Sequence, residues 1–228
     1  MEIAQLENIA TLIGEPARIK MLWVLMDGKA YTATELSLFG EVSPQSASMH
    51  LGKLVQAGLL KVIAQGRHRY FSYANDEVAY AIEALANLVP VQKESCQSGA
   101  KNVPVKNCRT CYDHIAGKAG VAITDRILKL AYLSEKGQQY ELTDKGHSFF
   151  TGFGIDTDVL LKLKRPFARP CLDWSERRFH LAGSLGRAIL EKMFQDDWMR
   201  RTQNSRALVI TSKGERSLYD ILGVELPG

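Results

Sequence analysis

The chain has 228 residues, of which 46% are hydrophobic and 24% charged, and its formal net charge is +4 at pH 7. These values are ordinary for a soluble globular protein with one large or two modest domains. No apolar run reaches the roughly 20 residues that cross a bilayer, and the acidic start Met1-Glu2 is untypical of a signal peptide. Four cysteines without a paired framework fit a reducing compartment, so we expect a cytoplasmic protein without membrane association.

Two amphipathic helices are predicted at the start of the chain. Leu6, Ile9 and Leu12 recur at helical spacing, and this first helix is expected to end near Gly14. Pro16 is a typical first residue of the second helix, whose apolar residues suit a domain core.

A helix, a short turn and a second helix are predicted next. Thr32 and Glu35 have the spacing of a capping box, and Gly40 is expected to end this helix in a left-handed conformation. Ser43 and Pro44 then have the residue types of an N-cap and a first helical position. A helix–turn–helix of this spacing is the skeleton of a DNA-reading motif.

The outer face of the second helix favours DNA as its partner. Ala47, Leu51 and Leu54 form an apolar stripe, whereas the opposite face is small, polar and free of acidic residues. Such a face suits the major groove, where short hydrogen-bonding side chains meet base edges. The DNA contacts predicted from this helix are Gln45, Ser46, Ser48, Met49, His50 and Lys53.

A β-hairpin with a basic tip is predicted after this helix. Residues 59–64 and 68–73 are expected to pair across residues 65–67, and Arg67, His68 and Arg69 at the tip suit phosphates or a minor groove. Residues 1–90 hold seven Lys/Arg and nine Asp/Glu, yet residues 40–75 hold four Lys/Arg against Glu41 alone. Positive charge is therefore concentrated on the predicted DNA-binding surface.

Residues 42–51 (VSPQSASMHL), 54–60 (LVQAGLL) and 66–71 (GRHRYF) together resemble the ArsR family of bacterial repressors. The resemblance covers about the first 90 residues. It implies a winged helix-turn-helix domain in a symmetric homodimer that binds a palindromic double-stranded DNA operator and releases it when an effector binds. It does not supply the effector, because residues 35–40 lack the paired cysteines of the family's metal sensors and residues 76–89 lack histidine.

A last N-terminal helix, over residues 76–89, carries the apolar stripe Val78, Ala81, Ile82, Leu85 and Val89 before Pro90 stops it. This stripe is expected to form a dimer interface with the first helix or to dock on the C-terminal half. Residues 91–107 have the polar, Ser/Gly/Pro-containing composition of a linker. The predicted organisation is a DNA-binding and dimerisation domain at 1–90, a linker at 91–107 and an effector or dimerisation domain at 108–228.

The second half contains a repeat. The segments RTCYD, HIAG, LTDKG and FGID, beginning at residues 109, 114, 142 and 153, match RPCLD, HLAG, ITSKG and LGVE at 169, 180, 210 and 222. We predict two diverged winged-helix-like repeats, about 109–156 and 169–225, each with a first helix (116–133 or 181–199), one short strand and a second helix. The predicted fold class is mainly α with small β-hairpins (α+β).

The cysteines of the second half leave several interpretations open. Cys108 and Cys111 form a C-x-x-C with Cys96 upstream, and Cys171 is the repeat equivalent of Cys111. They are consistent with a soft metal(loid) site, a thiol switch or buried apolar packing, and a pocket for a small organic ligand is a further option. The adjacent histidines fit acid–base chemistry, helix capping or packing. The candidate effector residues are Cys108, Cys111, His114, Cys171 and His180.

Two functions are compatible with these features. The first is a dimeric transcriptional regulator, a repressor released by a thiol-reactive species, a soft metal(loid) or a small organic ligand. The alternative is a regulator whose C-terminal half is an enzyme for thiol or group-transfer chemistry. Residues 152–154 (GFG) are a lone short match without a strand–turn–helix unit around them, so we expect no enzyme and no cofactor beyond a possible soft metal ion at the cysteines.

Overall fold

The structure, a computed structural model, describes residues 3–89, 104–203 and 205–226. It divides into two compact units, one ending at Ala86 and the other beginning at Asn87. Most of the predicted linker, including Cys96, lies outside the described residues. Within the described ranges, no helix has the length and apolar character needed to cross a membrane.

The first unit has the order of elements of a winged helix. The elements are α1 (Ile3–Ile13), α2 (Pro16–Val24), β1 (Tyr31–Thr32), α3 (Ala33–Gly40), α4 (Pro44–Gln56), β2 (Leu60–Gln65), β3 (His68–Tyr73) and α5 (Asp76–Asn87). A 3₁₀ turn, Leu25–Asp27, follows α2, and the sheet is antiparallel with the strand order β1-β3-β2.

The starts of α3 and α4 agree with the sequence prediction. Thr32 and Glu35 form both hydrogen bonds of a capping box, and the Ser43 side chain accepts a hydrogen bond from the Ser46 N–H at 3.2 Å. The α2–α4 core beneath them contains fully buried Met21, Leu36, Leu51 and Leu54. This core leaves the outer face of α4 free for other contacts.

The prediction of Gly40 as the left-handed end of α3 was wrong. Gly40 lies in the last turn of the helix, and the left-handed residue is Glu41, with φ 55°. A Cβ at Gly40 would lie 2.5 Å from Met21 Cε, which is too close for a side chain. Glycine at this position therefore leaves room for the buried Met21 side chain between α3 and α2 and does not serve the backbone turn.

The wing is one residue tighter than predicted. Gln65 pairs with His68, so the turn consists of Gly66 and Arg67 alone, and β2 begins at Leu60. Gly66 has φ 59°, a conformation in which glycine is unstrained.

The second unit contains the same order of elements twice: a hairpin, a helix, a second hairpin and a second helix. Short helices α6 (Pro104–Asn107) and α9 (Thr157–Leu161) precede the two copies. The first copy is β4 (Arg109–Cys111), β5 (His114–Ala116), α7 (Gly117–Lys129), β6 (Leu133–Lys136), β7 (Gln139–Leu142) and α8 (Asp144–Gly152). The second copy is β8 (Arg169–Leu172), β9 (Phe179–Ala182), α10 (Ser184–Gln195), β10 (Met199–Arg201), β11 (Leu208–Ile210) and α11 (Ser212–Leu222).

Both long helices predicted in the second half were too long. The helix expected over 116–133 ends at Lys129, where Ala131 with φ 56° turns the chain into β6. The helix expected over 181–199 spans only Ser184–Gln195. A two-stranded hairpin takes the place of each single strand predicted between the helices. Leu133 and Met199, the last residues of the two predicted helices, are the first residues of β6 and β10. The predicted class, mainly α with small β-hairpins, is confirmed.

The two copies share one hydrophobic core. Ile115, Ile123 and Ile127 of the first copy lie in the same buried cluster as Leu185 and Leu218 of the second. The copies also interlock, since α7 packs against β9 and α10 packs against β5. This packing places the β4–β5 hairpin next to the β8–β9 hairpin.

Candidate DNA interface and cysteine–histidine site

The outer face of α4 is exposed at most of the predicted DNA-contacting residues. Gln45, Ser48, Met49 and Lys53 are exposed, with Met49 at 66%, and Ser46 is half-buried. The helix contains no acidic residue. A groove-facing helix needs such a free, polar and acid-poor face.

His50 differs from the other residues of this set. Its ring is half-buried, and its Nδ1 lies 3.3 Å from an Arg18 guanidinium nitrogen and 3.5 Å from a Glu15 carboxylate oxygen. These contacts link α4 to the start of α2. His50 as a DNA contact stays a prediction.

The tip of the wing presents three exposed basic side chains, Arg67, His68 and Arg69. Arg67 Nε donates to His68 Nε2 at 3.4 Å, and the Arg69 guanidinium lies 5.7 Å from the centroid of the Phe71 ring. The two-residue turn and the start of β3 therefore present two exposed guanidinium groups at one end of the hairpin.

Four side chains converge in the second unit: Cys111, His114, Cys171 and His180. The two Sγ atoms are 4.0 Å apart, and the two histidine Nε2 atoms are 3.2 Å apart. One donor atom from each of the four residues lies within 4.8 Å of the others. We call this set the cysteine–histidine cluster.

The strand register explains why these residues meet. Cys111 is directly opposite His114 in the β4–β5 hairpin, and Cys171 is directly opposite His180 in β8–β9. Cross-strand partners point to the same face of a hairpin, so each hairpin presents one thiol and one imidazole side by side. Because β5 and β9 lie against each other, the two pairs meet.

Each histidine also faces a carboxylate through its other ring nitrogen. His114 Nδ1 lies 3.3 Å from Asp113 Oδ1, and His180 Nδ1 lies 3.3 Å from Asp173 Oδ2. Such a carboxylate fixes the orientation and tautomer of a histidine that binds a metal.

No protein-family model matches the chain. The chain is 37% identical over 220 residues to the HTH-type transcriptional regulator YdfF of Bacillus subtilis (strain 168), whose function is uncharacterised, and the match covers 96% of this chain and 97% of that protein. The chain belongs to the family of HTH-type transcriptional regulators. The first unit of this regulator has the order of elements of a winged helix, as the sequence predicted.

Solved structures similar to parts of the regulator include two proteins of bacterial origin. HlyU from Vibrio cholerae N16961 is 27% identical, with a TM-score of 0.35, and the match covers 39% of this chain and 97% of that one. The transcriptional repressor BigR from Xylella fastidiosa is 17% identical, with a TM-score of 0.36, and the match covers 40% of this chain and 91% of that one.

The second carboxylate of the regulator's cysteine–histidine cluster is held by a buried network. Asp173 is 0% exposed, and its Oδ2 accepts hydrogen bonds from the Arg109 guanidinium at 3.0 Å and the Gly117 N–H at 2.7 Å. Its Oδ1 accepts from the Ser175 hydroxyl at 2.7 Å and from two main-chain N–H groups. Arg109 is also 0% exposed and comes from the other copy, so this ion pair joins the two repeats.

These contacts change the acidity of the cluster. Burial opposes ionisation of Asp173, but hydrogen bonding with His180 and the charge of Arg109 hold the pKa of Asp173 well below its usual range. A hydrogen bond from Cys111, followed by those from His114 and His180, lowers the pKa of the Cys171 thiol. Burial favours neutral His180, yet hydrogen bonds with Asp173 and Cys171 raise its pKa. The cluster therefore favours a thiolate next to a proton or another cation.

The cluster contains four of the five predicted effector residues. The fifth, Cys108, lies in the hydrophobic core at 1% exposure, and burial raises the pKa of its thiol to about 12. The sulfur neighbour of Cys111 is therefore Cys171 rather than the other cysteine of the C-x-x-C. Sequence reasoning missed Arg109 as the partner of Asp173, although the shared Arg-x-Cys-x-Asp block of the repeats contained both residue types.

Proposed function

We propose that this regulator is a dimeric repressor that binds a palindromic operator and releases it when an effector acts on the second unit. The observation that carries the proposal is the exposed, acid-free face of α4 beside a wing tipped with Arg67 and Arg69. In this proposal α4 enters the major groove and the wing binds the adjacent backbone.

The charge distribution supports binding of double-stranded DNA. Lys53 follows the polar face of α4, and Lys61, Arg67 and Arg69 lie on the hairpin beside it, all of them exposed. These cations replace the counterions that surround phosphates, and released counterions favour binding. Gln45, Ser46, Ser48 and Met49 are then available to base edges.

Exposed apolar residues support a homodimer. No residue of α1 is buried, and Ile3 and Leu6 are 74% and 55% exposed. On α5, Val78 and Ile82 pack inside the unit while Leu85 remains 43% exposed. A second copy of the chain covering α1 and α5 would bury these side chains and place two α4 helices about 34–36 Å apart, the spacing of successive major grooves.

The cysteine–histidine cluster is the proposed effector site. Two sulfurs and two imidazoles suit a thiol-reactive species or a soft metal ion better than a small organic ligand, because the cluster is made of strong metal donors and nucleophiles. An effector that favours one conformation of the dimer would change the spacing of the α4 helices and so the DNA affinity. We propose a cytoplasmic regulator without a catalytic step of its own.

A salt-dependence measurement tests the DNA-binding surface. Duplexes selected from a random pool by the wild-type chain serve as the probe, and affinity is measured from low to moderate salt. If each arginine of a dimer neutralises one phosphate, Arg67→Ala/Arg69→Ala removes four contacts, and the slope of log K against log salt becomes shallower by about 3.6.

The matched control is Arg187→Ala/Arg200→Ala, which removes two exposed arginines that already pair with Glu191 and Asp197. We expect its slope and affinity to equal those of the wild type. A double mutant of the wing with an unchanged slope, or a wild-type chain that selects no duplex, would refute the proposal. Light scattering of the same samples measures the dimer.

A further inference from the structure

We infer that Cys111, His114, Cys171 and His180 form a closed tetrahedral site for a Zn²⁺-like divalent ion, with one cysteine and one histidine from each repeat. The inference deepens the proposed function by naming the ion. It rests on that function only for the effect of the bound ion on DNA affinity.

The distances between donor atoms fit a small tetrahedral ion. With Zn–S and Zn–N bonds of about 2.3 and 2.0–2.1 Å, tetrahedral geometry places two sulfurs about 3.8 Å apart and two nitrogens about 3.3 Å apart. The corresponding separations are 4.0 Å for the Sγ atoms and 3.2 Å for the Nε2 atoms. All four donor atoms lie within 4.8 Å of one another, so the longest separation between two donors has to shorten by about 1 Å when the ion binds.

The carboxylates beside the imidazoles also indicate a cation between them. Asp113 and Asp173 each place a carboxylate oxygen 3.3 Å from the Nδ1 of one histidine, and the negative charge of each favours the tautomer with the proton on Nδ1. Both Nε2 lone pairs then point toward each other across 3.2 Å. Two lone pairs at this distance repel unless a proton or a metal ion lies with them, and a metal binds both at once.

The donor set selects among ions. Two thiolates and two neutral imidazoles suit Zn²⁺ and its larger analogue Cd²⁺, whereas Mg²⁺ and Ca²⁺ prefer oxygen. Two thiolates balance the 2+ charge of the ion. Four protein ligands leave no open position for substrate, which is the arrangement of a structural or sensing site rather than a catalytic one.

The cluster also connects the two copies. Each hairpin supplies only two donors, so a four-coordinate ion has to hold β4–β5 and β8–β9 together. Helix α7 lies under the second histidine and α10 under the first, since a Cβ at Gly120 would be 3.5 Å from His180 Cβ and one at Gly186 would be 3.2 Å from His114 Cβ. Metal binding is therefore expected to stabilise the whole second unit.

The test uses the full chain, stripped of metal with a chelator under reducing conditions. Titration with Co²⁺ should give one ion per chain, with the visible bands of tetrahedral Co²⁺ and a sulfur-to-cobalt charge-transfer band, and Zn²⁺ should displace it. At a free Zn²⁺ concentration 100-fold above Kd, the unfolding temperature of the second unit should rise by about 5–11 °C. Absence of the cobalt spectrum, or its octahedral form, overturns the inference without any variant.

Variants then locate the ion. Cys171→Ser and His180→Gln should each weaken binding by more than about 100-fold, because each removes a direct ligand. Cys108→Ala is the matched control, since this thiol lies outside the cluster, and it should retain binding of one ion. Retention by the ligand variants overturns the inference, as does a reduced wild-type chain that binds Hg²⁺ but no Zn²⁺.

DNA binding is measured separately on the same samples. Failure of the chain to bind any duplex while zinc binds one to one would refute the regulator but leave the metal site intact. Duplex binding by the wild type without any zinc binding would refute the metal site alone.

Discussion

Replacing Arg109 with methionine tests whether the buried ion pair between the repeats organises the second unit. Arg109 and Asp173 are both 0% exposed, and the guanidinium lies 3.0 Å from Asp173 Oδ2 and 5.0 Å from the centroid of the Trp174 ring. Methionine keeps much of the side-chain volume but removes the guanidinium that pairs with the carboxylate. Breaking one partner of a fully buried pair costs about 3–5 kcal/mol of unfolding free energy.

This loss should be visible as a large shift in melting temperature. At about 2–4 °C per kcal/mol for a unit of this size, the transition of the second unit should fall by about 6–20 °C. Thermal unfolding followed by near-ultraviolet circular dichroism, with the metal removed from all samples, measures the shift. The hydrogen bonds that Asp173 also accepts from Gly117 and Ser175 favour the lower part of this range.

The repeat provides its own control. Arg169 is the equivalent of Arg109 in the second copy, but it is exposed, so Arg169→Met should change the unfolding free energy by no more than about 0.5 kcal/mol. If the two variants melt within 2 °C of each other, roughly the error expected for a surface change, then the buried pair is not what holds the copies together.

Two further predictions concern positions where the structure limits the side chain. Gly40→Ala should destabilise the first unit by about 1–3 kcal/mol in urea, because the new Cβ would lie 2.5 Å from Met21 Cε and 3.3 Å from Met21 Cγ, and this methionine is fully buried. Gly52→Ala on the open face of α4 should be neutral or stabilising by up to about 1 kcal/mol, and equal stabilities of the two variants would contradict this packing. Asp113→Ala should lower the Zn²⁺ affinity about 10- to 100-fold in a competition titration while stoichiometry stays at one, because the carboxylate orients His114; an unchanged affinity would exclude that role.

The first unit was largely predictable because its signals are local. The Thr32/Glu35 capping box and the Ser43-Pro44 start each depend on residues within one helical turn. The error at Gly40 shows the limit of such signals. A glycine at the end of a helix is typical of a left-handed C-cap, but the space needed by Met21, from another helix, determines this one.

The second unit was less predictable because its decisive contacts are long-range. Strands of three or four residues are too short to show an alternating pattern, so the hairpins carrying Cys111 and Cys171 could not be distinguished from helix starts. The repeat did identify both cysteines and both histidines as equivalent pairs. It could not show that Arg109 is buried and Arg169 exposed, because both follow the same Arg-x-Cys-x-Asp pattern.

The interlocked packing explains why the cluster needs both copies. Each α-helix that follows a first hairpin packs against the other copy's second strand: α7 on β9, where Thr124 Oγ1 accepts from the Leu181 N–H at 2.8 Å, and α10 on β5. The backbone of each histidine is therefore positioned by the opposite repeat. A single copy would have one cysteine and one histidine, which is half of a tetrahedral ligand set, and its hairpin would lack the other copy's helix. Duplication thus produces the donor set and the support for it at the same time.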